Sequence, residues 1–198
     1  MTTPVHTTPA RRPEPLTPAL AALLTRTALI ERGGRSFIAE AQALAPAERI
    51  ALTTRAEALA AALAPYTDEA RIQSRVVALR LVMPSATGGE SLEDRAMTLR
   101  LYARALARFP EWAVGEACAR FIDGRAGSGR FAPTPAELAA VCEALALPLH
   151  EERARILALT DAEVEREVPE AERMRVAAGF ARLLGEIRTT SIMPGAAR

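Results

Sequence analysis

The chain has 198 residues, which is enough for one domain with a buried core and too few for two full domains. Alanine and leucine dominate, while aromatic residues make up 4% and charged residues 25%, a composition typical of a helical protein. All 25 basic residues are arginine, which excludes lysine-dependent chemistry such as Schiff-base catalysis. The net charge of +1 neither favours nor excludes nucleic acid as a partner.

The apolar pattern predicts an all-α fold, an irregular multi-helix bundle with a disordered N-terminal tail and a frayed C-terminus. No segment has the alternation or the β-branched clusters of a strand. Residues 1–16 contain four prolines and are expected to be disordered or extended. Residues 189–198 are expected to form a flexible tail.

An N-terminal helical subdomain is predicted over residues 17–83. Its first helix is predicted from Thr17 to about Glu31, where a pair of glycines ends it. Further helices are predicted over residues 36–44, 46–65 and 67–83. The following segment, 84–90, is rich in small residues and is predicted to be a linker that lets this subdomain move.

A second helical unit is predicted over residues 91–147, with C-terminal helices over 148–188. Its first helix begins at a Ser91 cap and carries an apolar stripe, formed by Met97, Leu101, Tyr102, Ala105 and Phe109. Pro110 then breaks the chain, and a helix is predicted from Glu111 to about Asp123.

The helix expected to start at Pro135 has the strongest start signal in the chain. Thr134 is a good N-cap, Pro135 suits the first helical position, and the carboxylate of Glu137 can reach back to the cap. We predict that this helix ends at Leu147, because Pro148 follows. The remaining predictions are a helix over 149–159, a capping box joining residues 160 and 163, and a final helix over 169–188.

No constellation of residues points to catalysis, so the chain is predicted not to be an enzyme and to have no catalytic, cofactor or metal site. The two histidines are His6, in the tail, and His150, expected at the surface. Cys118 and Cys142 are expected to be buried free thiols, which suits a reducing cytoplasm. The longest uncharged runs reach ten residues, too short to span a membrane.

The basic residues concentrate in the centre of the chain. Residues 95–130 hold seven arginines against three acids, whereas residues 137–172 hold ten acids against three arginines. Three arginines recur every four residues on one predicted helix, and three more follow downstream: Arg100, Arg104, Arg108, Arg120, Arg125 and Arg130. A solvated helix face and contact with DNA phosphate or an acidic partner are both open interpretations. For Trp112 the alternatives are core packing and base stacking.

A glycine-containing loop from Gly124 to Gly129 separates the two helices of this centre. The loop lacks the strand before it and the lysine after it that a phosphate-binding loop needs, so we interpret it as a mobile connector. Phe131 is placed to dock where this loop meets the bundle.

The segment from about Leu99 to Leu145 resembles bacteriophage replicative-helicase loaders, the lambda P-like proteins and related loader/inhibitor proteins. The resemblance is carried by an aromatic helix, an aromatic-proline turn, a basic loop, a Phe-x-Pro-Thr-Pro-x-Glu helix start and a cysteine-bearing helix. In this chain the motif residues are Tyr102, Phe109, Pro110, Trp112, Phe131, Pro133, Thr134, Pro135, Glu137, Leu138 and Cys142.

The resemblance implies a non-enzymatic adaptor for phage DNA replication. Such a protein binds a ring-shaped DnaB-type helicase hexamer, holds it inactive or opened, and helps to deliver it to an origin. A replication initiator and single-stranded DNA are further expected partners, and a membrane is not. The resemblance also places the protein in the cytoplasm of a bacterial host. The residues also leave open a small DNA-binding or packaging adaptor, or a structural assembly protein.

Overall fold

A computed structural model describes residues 11–66, 68–83, 91–166 and 169–190. Within these ranges the chain forms α1 (Pro18–Arg26), β1 (Ile30–Arg32), β2 (Arg35–Ala39), α2 (Pro46–Ala62), α3 (Glu69–Val82), α4 (Leu92–Leu106), α5 (Glu111–Ile122), α6 (Pro135–Asp161), β3 (Glu163–Glu165) and α7 (Glu170–Thr190). The predicted mostly helical fold is confirmed. The linker 84–90, most of the N-terminal tail and most of the C-terminal tail lie outside the described residues.

Side-chain caps begin the helices where the sequence predicts them. The side chains of Thr17, Asp68, Ser91 and Thr134 each accept a hydrogen bond from a backbone N–H in the first turn of α1, α3, α4 and α6. Each cap satisfies a donor that the helix itself leaves unpaired. These four predicted starts are confirmed.

The three-stranded sheet shows that the absence of strands was a wrong prediction. Gly33 and Gly34 adopt φ of +58° and +77°, the positive values that a tight hairpin turn requires, and they join β1 to β2 as an antiparallel pair. The helix predicted over 17–31 therefore ends too late, since α1 ends at Arg26. The helix predicted over 36–44 is wrong, since β2 occupies Arg35–Ala39. Ile38 on β2 is 1% exposed and anchors the sheet in the core.

The third strand, β3, is distant in sequence from the other two and directly follows the long helix α6. β3 pairs with β2 in parallel, with Ile38 opposite Val164, and the edge is flanked by an ion pair between Arg32 and Glu165. The predicted capping box of residues 160 and 163 is wrong. Thr160 instead lies inside α6, where its Oγ1 donates to the carbonyl of Leu157 at 2.9 Å.

Two separate apolar cores hold the described chain together. The sheet-side core contains Leu23, Leu24, Ile38, Leu52, Ala56, Leu59, Ile156, Leu159 and Ala162. The bundle core contains Ile72, Val76, Leu79, Met83, Tyr102, Ala103, Leu106, Phe109, Ala113, Val114, Ala117, Cys118, Phe121, Leu138, Ala139, Cys142 and Leu145. Helix α3 therefore shares its core with α4, α5 and the first half of α6.

Helix α6 continues through Pro148, so the predicted helix end at Leu147 is wrong. An interior proline removes one backbone hydrogen bond and crowds the preceding turn, at a cost of about 3 kcal/mol. Pro148 is exposed, and the helix is anchored on both sides, by Leu145 in the bundle core and by Ile156 in the sheet-side core. Burial of both halves outweighs the local cost.

Two peripheral segments flank these cores. Residues 11–16 have no regular secondary structure, and they are tied down by Arg55, whose Nη1 donates to the carbonyl of Glu14 at 2.8 Å. Helix α7 presents its apolar side chains to solvent, including Val176, Phe180 and Leu183. Its observed range agrees with the predicted final helix.

Candidate partner-binding surface

The start of α6 is fixed by a reciprocal capping box. The backbone N–H of Glu137 donates to Thr134 Oγ1 at 3.3 Å, and the N–H of Thr134 donates to Glu137 Oε2 at 2.7 Å. The backbone N–H of Thr134, followed by its hydroxyl, lowers the pKa of the Glu137 carboxyl. Pro135 occupies the first turn and Leu138 is fully buried, so the helix enters the bundle core at once.

Tyr102 joins this helix start to α4. Its side chain is 4% exposed, and its hydroxyl donates a hydrogen bond to the carbonyl of Pro133, which is also buried. The bond satisfies the polar end of an aromatic side chain that otherwise lies in the core. The position of α4 is therefore coupled to the Phe-Ala-Pro-Thr-Pro segment.

The aromatic-proline turn before α5 binds the end of α2. The backbone N–H of Tyr66 donates to the carbonyl of Phe109 at 2.9 Å, and Trp112 Nε1 donates to the carbonyl of Ala62 at 2.7 Å. The guanidinium of Arg12 lies 5.9 Å from the centre of the tryptophan ring. These contacts favour the structural interpretation of Trp112 over base stacking.

An ion pair between α3 and α5, buried on its glutamate side, was not predicted from the sequence. Arg75 Nη2 lies 2.7 Å from Glu111 Oε1, and the side chain of Glu111 is only 8% exposed. Gly115, one turn further along α5, makes room for this guanidinium, because a Cβ there would lie 3.1 Å from Arg75 Nη1. Nearby, burial raises the pKa of Tyr66. The sequence contained one sign of this ion pair: Gly115 lies inside a predicted helix, four residues after Glu111.

Five exposed residues form what we call the α4 outer face: Met97, Arg100, Leu101 and Arg104 on the solvent side of α4, and Arg108 just beyond its end. Met97 is 58% and Leu101 53% exposed, so their predicted place in the apolar stripe is wrong. The buried side of α4 is formed instead by its other apolar residues, Tyr102, Ala103 and Leu106. The α4 outer face therefore combines arginines with exposed apolar side chains.

The arginines of the α4 outer face differ in their partners. Arg108 Nη2 lies 3.4 Å from Glu143 Oε2, and its guanidinium lies 4.7 Å from the centre of the Phe109 ring. Arg100 and Arg104 are exposed and form no ion pair with any residue in the ranges that the structure describes. One end of the face is thus partly neutralised, whereas its centre carries two free charges.

The three downstream arginines are not equally available. Arg120 Nε lies 3.0 Å from Glu116 Oε1, and Arg125 pairs with both Glu116, at 3.3 Å, and Asp123, at 2.9 Å. The hydrogen bond from Arg120 is the main cause that lowers the pKa of Glu116. Glu116 and Asp123 therefore neutralise the arginines at the end of α5, and this part of the chain is a weaker candidate for a phosphate-binding surface.

Arg130 lies over its neighbour Phe131, with the guanidinium 5.4 Å from the ring centre. Phe131 is 41% exposed and lies outside the bundle core, so the prediction that it docks where the loop meets the bundle is wrong. The glycine loop before it is anchored at its centre. Gly127 has φ of +69° and faces the buried ring of Phe121, where a Cβ would lie only 2.6 Å from Cε1.

Cys118 and Cys142 are buried and free, as predicted. Burial raises the pKa of Cys118 to about 11 and that of Cys142 to about 12, so both stay as unreactive thiols near neutral pH. Within the described ranges no group of three or more His, Cys, Asp or Glu side chains could hold a metal ion. None of the helices there has the length and apolar character needed to cross a membrane.

Comparisons with protein-family models, with curated proteins and with solved structures find no significant match to this chain.

Proposed function

We propose that this chain is a non-enzymatic adaptor of phage DNA replication that binds a DnaB-type replicative helicase and helps to load it at an origin. The observation that carries the proposal is the way the loader-like motif packs. Of the motif residues, four lie in the bundle core and a fifth packs against it, whereas Phe131 stays exposed; the five are Tyr102, Phe109, Leu138, Cys142 and Trp112. The contact of Tyr102 with Pro133 and that of Trp112 with Ala62 are the main links.

The packed motif presents the α4 outer face to solvent. Exposed Met97 and Leu101 beside the free charges of Arg100 and Arg104 are typical of a protein-binding surface, where methionine and arginine are enriched. We assign helicase contact to this face. The adaptor would act by binding alone, holding the ring inactive or opened until an initiator marks the origin.

Co-purification with the replicative helicase of the host tests this function. The full chain is expected to form a complex with the hexamer and to change its ATPase and unwinding rates. The variant Arg100→Gln/Arg104→Gln should weaken the complex, whereas Arg175→Gln/Arg182→Gln on the exposed helix α7 should not. Absence of a complex together with unchanged ATPase activity would refute the proposal.

A small DNA-binding adaptor is the second candidate, because the free charges of Arg100 and Arg104 also suit phosphate. Electrophoretic shifts with single-stranded and duplex DNA at several salt concentrations distinguish the two. Phosphate-driven binding should weaken steeply as salt rises and should be lost in Arg100→Glu/Arg104→Glu. DNA binding of this kind without helicase binding would favour the second candidate.

A further inference from the structure

The contact between α2 and α6 shows how this chain packs an arginine-bearing helix against an acidic one. Arg55 on α2 holds Glu152 on α6 with two hydrogen bonds, 2.7 Å from Nε and 3.3 Å from Nη2. The two side chains are only 11% and 16% exposed. A paired geometry of this kind suits the planar guanidinium and fixes the orientation of both helices.

Apolar residues surround that ion pair on both helices. Leu52 and Leu59 on α2 are fully buried, as are Ile156 and Leu159 on α6. The acidic helix therefore contributes a glutamate with isoleucine and leucine four and seven residues later. The arginine-bearing helix contributes leucines three residues before and four residues after its arginine.

The α4 outer face repeats the spacing found on α2. On α2 the contact residues Leu52, Arg55, Ala56 and Leu59 stand at i, i+3, i+4 and i+7, and on α4 the same positions hold Met97, Arg100, Leu101 and Arg104. Both sets lie on one side of a helix, because these spacings are neighbours at 3.6 residues per turn. The difference is that the set on α4 has no helix against it within the described ranges.

We propose that the α4 outer face binds an acidic amphipathic helix of the partner protein, in the way that α2 binds α6. The inference rests on the proposed function, in which that partner is the helicase. Carboxylates on the incoming helix would pair with Arg100 and Arg104, and its leucines would cover Met97 and Leu101. A run of phosphates would pair with the arginines but would leave both apolar side chains in water.

The dimensions of the face indicate a short contact. From Met97 to Arg104 the helix rises about 10 Å at 1.5 Å per residue, so two turns of a partner helix suffice. Glu143 already holds Arg108 at one end, which limits the free part of the face to its first two turns. A contact of this size fits reversible binding, as expected of an adaptor that must release its cargo.

A synthetic helical peptide of about 18 residues tests the inference. The peptide repeats the spacing of Glu152, Ile156 and Leu159 on α6 over an alanine and glutamine background, and a control peptide has glutamine in place of each glutamate. Binding to the full chain is measured by fluorescence anisotropy. We expect the glutamate peptide to bind at least about tenfold more tightly than the control.

Two double variants separate the charged and apolar parts of the face. Arg100→Gln/Arg104→Gln and Met97→Ala/Leu101→Ala should each weaken peptide binding at least about tenfold. Their matched controls on α7, Arg175→Gln/Arg182→Gln and Val176→Ala/Leu183→Ala, should leave it unchanged. All eight positions are exposed, so circular dichroism should show an unaltered fold.

Equal peptide binding by every variant, or no saturable binding at all, would overturn the inference. Loss with the arginine variant alone, accompanied by binding of an oligothymidine at the same arginines, would assign the face to phosphate instead. If the helicase binds the chain and both α4 variants equally, the inference fails while the proposed function stands. If the peptide binds as expected but the helicase does not, the proposed function fails.

Discussion

Replacing Pro148 by alanine should stabilise the protein. Pro148 lies inside α6, where it has no N–H to donate to the carbonyl of Ala144, and its ring crowds the same turn. Its side chain is exposed, so Pro148→Ala removes no packing from either core. The variant restores one helical hydrogen bond at a position already held in a helix.

The expected gain is about 2 kcal/mol. Proline costs about 3 kcal/mol relative to alanine in a helix interior. Alanine also makes the unfolded chain more flexible, which reduces the expected stabilisation by about 0.4–1 kcal/mol. For a chain of this size, about 2 kcal/mol corresponds to a rise in Tm of about 4–8 °C.

Thermal unfolding followed by circular dichroism measures this change, with Pro135→Ala as the matched control. Pro135 occupies the first turn of the same helix, where no intrahelical N–H bond is lost, so its replacement should destabilise by no more than about 1 kcal/mol. A Pro148→Ala variant with unchanged or lower Tm would contradict a continuous α6. It would indicate that the helix ends at Leu147.

Three further predictions concern the packing around the candidate surface. Gly127→Ala should destabilise the fold by about 2–4 kcal/mol, because φ is +69° and the added Cβ would lie 2.6 Å from the buried ring of Phe121. The control Gly129→Ala, where φ is also positive but no atom lies near the added Cβ, should cost about 1 kcal/mol. Arg75→Ala should cost about 1–2 kcal/mol, since it leaves the buried carboxylate of Glu111 unpaired while Arg75 itself is 43% exposed. Thr134→Val should cost about 1 kcal/mol at pH 7.

Urea unfolding measures all three effects, and each has an outcome that would contradict it. Equal losses for the two glycine variants would mean that the phenyl ring moves freely. Adding Glu111→Gln to Arg75→Ala should restore part of the lost stability, and no restoration would exclude the unpaired carboxylate as the cause. The pKa of Glu137 in the folded chain lies below its unfolded value of 4.5, so the ionised carboxylate stabilises the fold. This stabilisation is fully present above pH 4.5 and is lost as the pH falls through the lower pKa of the folded chain. The effect of Thr134→Val should therefore shrink in acid, and a constant effect would contradict the capping box.

Local sequence signals predicted the helix starts well. Ser91 and Thr134 act through a side chain and the backbone of the next three residues, so no distant contact is needed to recognise them. The same holds for the break at Pro110. The sequence also showed where the arginines of the predicted surface cluster. It could not show that Arg108 pairs with Glu143, because that ion pair depends on tertiary packing.

The errors arose where distant residues decide the structure. The strand around Ile38 is stabilised by pairing with Val164, which no local pattern reveals. Met97 looks like a core residue in sequence, yet α4 turns its tyrosine side inward and leaves Met97 in water. Pro148 normally ends a helix, but two cores hold α6 together across it.

The long helix α6 contributes residues to both cores, and the two cores differ in how much of the chain they need. A fragment that stops at Leu147 would keep every residue of the bundle core, from Ile72 to Leu145, but would lose Ile156 and Leu159 from the other core. The α4 outer face thus belongs to a contiguous stretch of chain that carries its own apolar interior. The first third of the chain, by contrast, can complete its interior only after the far end has been synthesised.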